Sequence, residues 1–245
     1  MKMANWWLSK LKGVIMVFNK FARPKKTNPV EEVSAEEEKK DEVPIFNLIM
    51  PSAEPEKKVR ALGLIGDLDE EKASEVMYGM ISLYKSGIKQ ELKDPDDPEC
   101  EEIVTTKEPF EFIISTYGGS ALDMFGIYDL MRQIKDSGCE IGTYGLGKVM
   151  SAGVLLLASG TKGKRKIGAN CRVMIHSVAG GSQGAIHNLE TEMDEIRWLQ
   201  DQYIERLVEE TKMSENYLRK LLKKKVNVYL SAEEAVELGI ADEVI

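Results

Sequence analysis

At 245 residues, with 43% hydrophobic and 30% charged side chains, the chain has the composition of a globular protein long enough to bury one main core. A formal net charge of -8 argues against a surface that works by neutralising phosphates, so no nucleic-acid partner is expected. Cys100, Cys139 and Cys171 include no close pair, which speaks against a disulfide framework or a thiolate zinc site and fits a reducing, cytoplasmic compartment.

The first 26 residues carry seven Lys or Arg and no acid, with Trp7, Leu11, Val14, Ile15, Phe18 and Phe21 at helical spacing. Lys10, Lys12 and Lys20 interrupt the apolar centre that a secretory signal needs. A membrane-surface helix, a docking segment, a removable leader and an extension packed on its own protein all remain open for this stretch. From Pro24 to Pro44 the composition turns to Glu, Lys, Pro and Ser, too polar to offset the entropy of ordering it. Residues 1–44 therefore read as a basic amphipathic extension plus a charged linker, and residues 45–245 as one folded domain.

Within that domain, strand and helix patterns alternate. Val59–Ile65 predicts a strand, and Asp69 with Glu70 and Glu71 opens a helix with Ala73, Val76, Met77, Met80 and Tyr84 on its apolar face. Gln90–Pro109 reads as a long exposed loop, Phe110–Ser115 as a strand and Ser120–Lys135 as a helix. Glu140–Tyr144 predicts a strand, and a glycine-punctuated turn then leads into a small-residue helix over Ser151–Ser159. Arg172–Val178 predicts a strand, Gly184–Lys212 a long helix and Ser214 the start of a shorter one. Ser231 and Glu234 have capping-box spacing, Gly239 stops that helix, and Ile240–Val244 predicts a last strand. Repeated strand then helix implies an α/β fold with a largely parallel sheet or stacked βα units.

The chemistry centres on Ser151, in the stretch GKVMSAG, and on the histidines, of which the chain has two, His176 and His187. A serine hydroxyl needs a base to take its proton and donors to hold the oxyanion that forms. Ser151 stands at a predicted helix start, so the N–H of Ala152 is a natural oxyanion donor, and Gly119, in the pair Gly118 and Gly119 after a strand, is the candidate second donor. His176 ends an apolar strand, whereas His187 lies on a predicted helix surface beside Asn188 and Glu190. Each feature alone also has a plain structural reading: a helix cap, a turn, a core histidine.

Together and in order they resemble a family. Ile114–Met131 (ISTYGGSALDMFGIYDLM), Gly147–Arg165 (GKVMSAGVLLLASGTKGKR), Arg172–Gly184 (RVMIHSVAGGSQG) and Tyr229–Ile245 (YLSAEEAVELGIADEVI) are similar, collinearly, to ClpP, the proteolytic subunit of the ATP-dependent Clp protease. The resemblance implies a ClpP/crotonase-like α/β superhelix of ββα units, with the helix over Gly184–Lys212 as a handle that pairs two heptameric rings into a barrel of fourteen subunits. It implies a serine endopeptidase that cleaves unfolded polypeptides, with Ser151 as nucleophile, His176 as general base and the Gly119 and Ala152 N–H groups as the oxyanion hole. Val178–Gly181 would begin the segment that aligns substrates. It implies no cofactor and no metal. The chain has no phosphate-binding glycine loop with its Lys, so ATP dependence would come from a separate AAA+ unfoldase of the Clp type.

The family's histidine-orienting acid falls eight residues before the serine of the SAEEA motif, where this chain has Lys223. A lysine cannot accept the imidazole N–H. Asn227 is the next polar position and a candidate replacement through its amide oxygen. Tyr117, Lys148 and Met150 are further departures beside the site. Competing readings are a non-catalytic or weakened ring subunit, a crotonase-type acyl-CoA enzyme that would not need Ser151, and a Ser–Lys dyad using Lys148 or Lys223.

Overall fold

The computed structural model describes residues 59–94, 96, 101–223 and 227–245. The extension and linker expected over 1–44, and the domain start expected at 45, lie outside the described residues.

The chain builds a mainly parallel sheet with helices packed against it, the expected α/β class. Strand β1 (Ala61–Ile65) leads to helix α1 (Glu70–Ser86), whose first free N–H groups are met by Asp69: its carboxylate accepts from the Lys72 N–H at 2.8 Å. Ala73, Val76 and Met80 are buried at helical spacing.

The expected loop over Gln90–Pro109 is in large part a hairpin. β2 (Ile88–Leu92) and β3 (Ile103–Lys107) pair antiparallel, from Ile88 opposite Lys107 to Leu92 opposite Ile103. Almost every residue of the ribbon is exposed, so no buried face imposes the apolar alternation that would have marked it as strand.

β4 (Phe110–Thr116) runs parallel to β1 and alternates cleanly, with Phe110, Phe112, Ile114 and Thr116 buried. Helix α2 (Ala121–Asp136) follows; the Ser120 hydroxyl caps it by accepting from the Asp123 N–H at 3.3 Å. Its face of Met124, Ile127, Tyr128, Met131 and Ile134 closes the core.

β5 (Ile141–Met150) is twice the length of the predicted strand, because the glycines expected to form a turn lie inside it. Its first half, Thr143–Gly145, pairs with β6 (Arg165–Ile167); its second half, Lys148–Met150, pairs with β7 (Arg172–Ile175). The change of partner falls at Gly147, whose φ of 68° is open to glycine. β7 stops at Ile175 rather than Val178. The segment after it has no partner strand among the described residues.

α3 (Ala152–Ala158) is buried along its whole length. α4 (Ile186–Glu210) buries Tyr203, Ile204 and Leu207 near its C-terminal end, whereas every residue from 186 to 195 is exposed. α5 (Glu215–Lys223) precedes β8 (Val228–Leu230), which pairs antiparallel with β7. In α6 (Ala232–Glu237) the capping box forms: Ser231 Oγ accepts from the Glu234 N–H at 3.2 Å and Glu234 Oε2 accepts from the Ser231 N–H at 2.7 Å. β9 (Glu243–Val244) pairs with β6, giving the order β1-β4-β5-β6-β9. It is shorter than predicted because Ile240 and Ala241 pack into the core ahead of it. β6 and β8, three residues each, are too short for a period to register.

One buried cation ties the C-terminal segment to the core. Arg165 is 4% exposed and its Nη1 donates to the carbonyls of Ala158 at 3.1 Å, Glu210 at 2.8 Å and Gly239 at 2.8 Å. Its Nε and Nη2 bind Asp242 in a fork, with Nε to Oδ2 at 2.9 Å. Burial alone would raise the Asp242 carboxyl, but the bonds and charge of Arg165 and the Gly163 N–H outweigh it and hold it below the ordinary carboxylate range. Among the described residues no helix is long and apolar enough to cross a membrane, and no cluster of His, Cys, Asp and Glu is arranged to hold a metal ion.

Candidate active site

Three strands come into register at one level of the sheet. Thr116 of β4 pairs with Val149 of β5, and Val149 pairs with Val173 of β7. Two residues beyond Thr116 and Val149 stand Gly118 and Ser151, and three residues beyond Val173 stands His176. The sheet thus delivers a glycine loop, a serine and a histidine to one place.

His176 Nε2 lies 2.8 Å from Ser151 Oγ. Ser151 sits between β5 and α3 at φ 54°, ψ -120°, alone among described non-glycine residues in having positive φ. A side chain pays on the order of 1–3 kcal/mol to stay in such a conformation. The surroundings enforce it: the Ser151 N–H donates to the Met174 carbonyl at 2.8 Å, and the buried Tyr203 hydroxyl donates to the Ser151 carbonyl at 3.1 Å. The sharp turn presents the hydroxyl to a cavity of about 250 Å³, lined among others by Gly119, Met124, Ala152, His176, Val178 and Tyr203.

Two peptide N–H groups open on the same cavity. Ala152 is the first residue of α3, so its N–H has no acceptor within the helix. Gly119, at φ 155°, passes so close to Leu68 that a Cβ would stand 1.9 Å from the Leu68 carbonyl oxygen. A Cβ on Gly118 would stand 2.5 Å from the Ser151 Cβ, so this loop approaches the serine as only glycine permits. The loop is braced from beneath by the buried Thr116, whose Oγ1 accepts from the Gly118 N–H at 2.9 Å. A hydroxyl touching an imidazole, with free N–H groups alongside, is an arrangement able to perform acyl transfer.

The other candidates fall elsewhere. Lys148 lays its ammonium over the Tyr117 ring, 4.4 Å from the centroid, rather than on Ser151. His187 is on the exposed half of α4, and Lys223 is exposed at the end of α5. Asn227 is exposed beside β8; continuing the β7–β8 register by one step from Ile175 opposite Val228 sets Asn227 opposite His176. Nδ1 of His176 has no hydrogen-bond partner among the described residues. Cys139 and Cys171 are buried free thiols, and burial pushes Cys171 up to about 11, which removes it as a thiolate nucleophile.

Sequence reasoning missed Thr116 and Tyr203. Thr116 reads as one more strand residue, and Tyr203 lies 52 positions from the serine whose carbonyl it binds, a separation no local pattern reveals. Removing that bond by Tyr203→Phe frees a turn held against its strain. The expected result is a loss of about tenfold in kcat with KM little changed, checked by steady-state kinetics on a fluorogenic peptide.

The family model described as Clp protease matches residues 101–245. The chain is similar to ATP-dependent Clp protease proteolytic subunit 1 of Prochlorococcus marinus (strain MIT 9312), 36% identical over 132 residues, which are 54% of this chain and 65% of that protein. The protein of the same name from strain NATL2A is 34% identical over 151 residues, 62% of this chain and 70% of the relative. That from subspecies pastoris is 34% identical over 152 residues, 62% and 71% of the two chains. The match to the family thus takes in β3 to β9, with the serine, the histidine and both N–H groups, and the chain belongs to the Clp protease family.

Proposed function

We propose that the protein is a ClpP-like serine endopeptidase that hydrolyses unfolded polypeptides by acyl-enzyme chemistry. The observation that carries the reading is the 2.8 Å contact between Ser151 Oγ and His176 Nε2 at a strained turn flanked by the Gly119 and Ala152 N–H groups. Ser151 attacks the scissile carbonyl while His176 takes its proton; the two N–H groups hold the oxyanion; His176 returns the proton to the leaving amine, and water repeats the sequence on the ester. Met124, Val178 and Tyr203 make the adjoining wall largely apolar, which suits an apolar substrate side chain next to the scissile bond.

Asn227 is the positioning residue for His176. For Nε2 to accept the serine proton, Nδ1 must carry its own and needs an acceptor; the reading gives that role to the Asn227 amide oxygen, supported by the β7–β8 register, which continued by one step sets Asn227 opposite His176. Asn227→Ala is expected to lower kcat/KM about tenfold or more. Asn227→Asp is expected to restore or exceed the original rate and to move the acidic limb of the pH–rate profile to higher pH, because a carboxylate stabilises the imidazolium. A purely structural role would leave that limb in place.

The assembly follows the same reading: heptameric rings paired through α4 into fourteen subunits, served by an AAA+ unfoldase of the Clp type, in the cytoplasm. It is supported by the exposed first half of α4, where Ile186, Leu189 and Met193 form an apolar stripe, since a solitary helix of that length is marginal in water without a partner. The test is hydrolysis of a fluorogenic peptide and of an unfolded protein by the assembled particle, run beside a panel of acyl-CoA esters. Peptide hydrolysis that Ser151→Ala abolishes supports the reading. Turnover of the CoA ester that survives Ser151→Ala favours a crotonase-type enzyme, and assembled rings with neither activity favour a structural subunit.

A further inference from the structure

Beside the site, on the open face of the sheet, two cations stand together. Lys148 of β5 and Arg172 of β7 are directly paired in the parallel register, and burial alternates so that both lie on the face away from the core: Val149 and Val173 are buried, Lys148 and Arg172 are not. Met150 and Met174, the next pair on that face, lead straight to Ser151 and towards His176. Neither Lys148 nor Arg172 has a carboxylate partner among the described residues, although most neighbouring lysines do: Lys164 is paired with Glu140 at 2.6 Å and Lys166 with Glu243 at 3.4 Å. Lys148 is also held. Its ammonium sits over the exposed Tyr117 ring, and Tyr117 adjoins Gly118, which packs on the Ser151 Cβ. Two like charges on paired strand positions without a carboxylate partner among the described residues, one of them held over an aromatic ring, make this surface attractive to an anion.

We infer that Lys148, with Arg172 beside it, is a specificity-determining subsite that takes an acidic side chain of the substrate polypeptide. The inference rests on the proposed peptidase reading and names a property of that same site. Spacing fixes where the acid must lie. Lys148 precedes Ser151 by three residues of extended chain, about 10 Å at the rise of a β-strand. A substrate bound in extended form has the same rise, so its carboxylate meets the patch about three residues from the bond that Ser151 faces. The apolar cavity then selects the residue at the bond, and the cations select an acid at a distance.

A binding experiment separates this inference from the catalytic reading. Fluorescently labelled extended peptides with an apolar central residue carry Glu or Gln three positions before it in one series and three positions after it in the other. They are titrated by anisotropy into full-length Ser151→Ala protein, which binds without turnover. One series is expected to bind about fivefold to tenfold tighter with Glu than with Gln, the gain shrinking as salt is raised. In K148E the preference inverts; in K85E, a charge reversal at an exposed position of α1, the ratio stays as in the parent. Equal affinity of the Glu and Gln peptides in both series, absence of binding, or a Glu preference that persists in K148E overturns the inference. Failure of the peptidase reading would show instead as wild-type protein that does not react with a serine-directed fluorophosphonate, a result independent of the binding ratio.

Discussion

Ser151→Ala is expected to lower peptide hydrolysis by about 10⁴-fold or more, because the variant keeps the cavity and the two N–H groups but has no nucleophile to form the acyl-enzyme. His176→Ala is expected to cost nearly as much, and the double variant little more than either, since the two side chains act as one unit. A third substitution separates chemistry from folding at the same position. Ser151 holds φ 54°, ψ -120°, a region that suits glycine, so Ser151→Gly relieves strain while removing the hydroxyl. It is expected to be as inactive as Ser151→Ala yet to unfold at higher denaturant, by about 1 kcal/mol. A Ser151→Gly protein no more stable than Ser151→Ala would mean that the turn is not under tension. Urea midpoints of the three proteins decide this.

The largest expected effect on stability lies away from the site, at Arg165. Its guanidinium binds three carbonyls and Asp242 in a place 4% exposed, joining α3, the end of α4 and the turn after α6. Arg165→Ala strands the Asp242 carboxylate and three carbonyl acceptors. The expected loss is about 3–5 kcal/mol, or roughly 10 °C in Tm for a chain of this size. Asp242→Asn keeps the shape, loses less, and carries the pH signature. Because the folded-state pKa of Asp242 is depressed, its contribution is fully present above the unfolded value of about 3.9 and is lost as pH falls through the folded value. The wild-type and Asp242→Asn stabilities should therefore differ most at neutral pH and converge in acid. A gap that stays constant from pH 7 to pH 3 would contradict this origin.

How legible this was in the sequence depended on whether a residue's partners were local. Helices announced themselves through caps and periodic faces: Asp69, Ser120 and Ser231 each cap where their sequence spacing put them. β4 was plain because one face is buried and the other is not. The β2–β3 ribbon was hidden because neither face is buried, and β5 was cut short because Gly145 and Gly147 read as a turn, whereas the sheet uses them to exchange β6 for β7. At the site, Ser151, His176, Gly119 and Ala152 could be named from motif order. The bracing by Thr116 and Tyr203 and the pairing of Lys148 with Arg172 depend on contacts between strands and helices far apart in the chain. The vacancy left by Lys223 was visible in the sequence. Asn227 could be named there too as a candidate replacement; that it falls opposite His176 emerged only once β7 and β8 were paired.

Treating the full-length assembled protein with a fluorophosphonate and locating the adduct by peptide mass mapping shows whether His176 makes Ser151 nucleophilic. One adduct per chain is expected, on Ser151, formed in the wild type and in Ser82→Ala and lost in Ser151→Ala and His176→Ala. An adduct on another serine, labelling that persists in His176→Ala, or no labelling of assembled wild-type particles would contradict it.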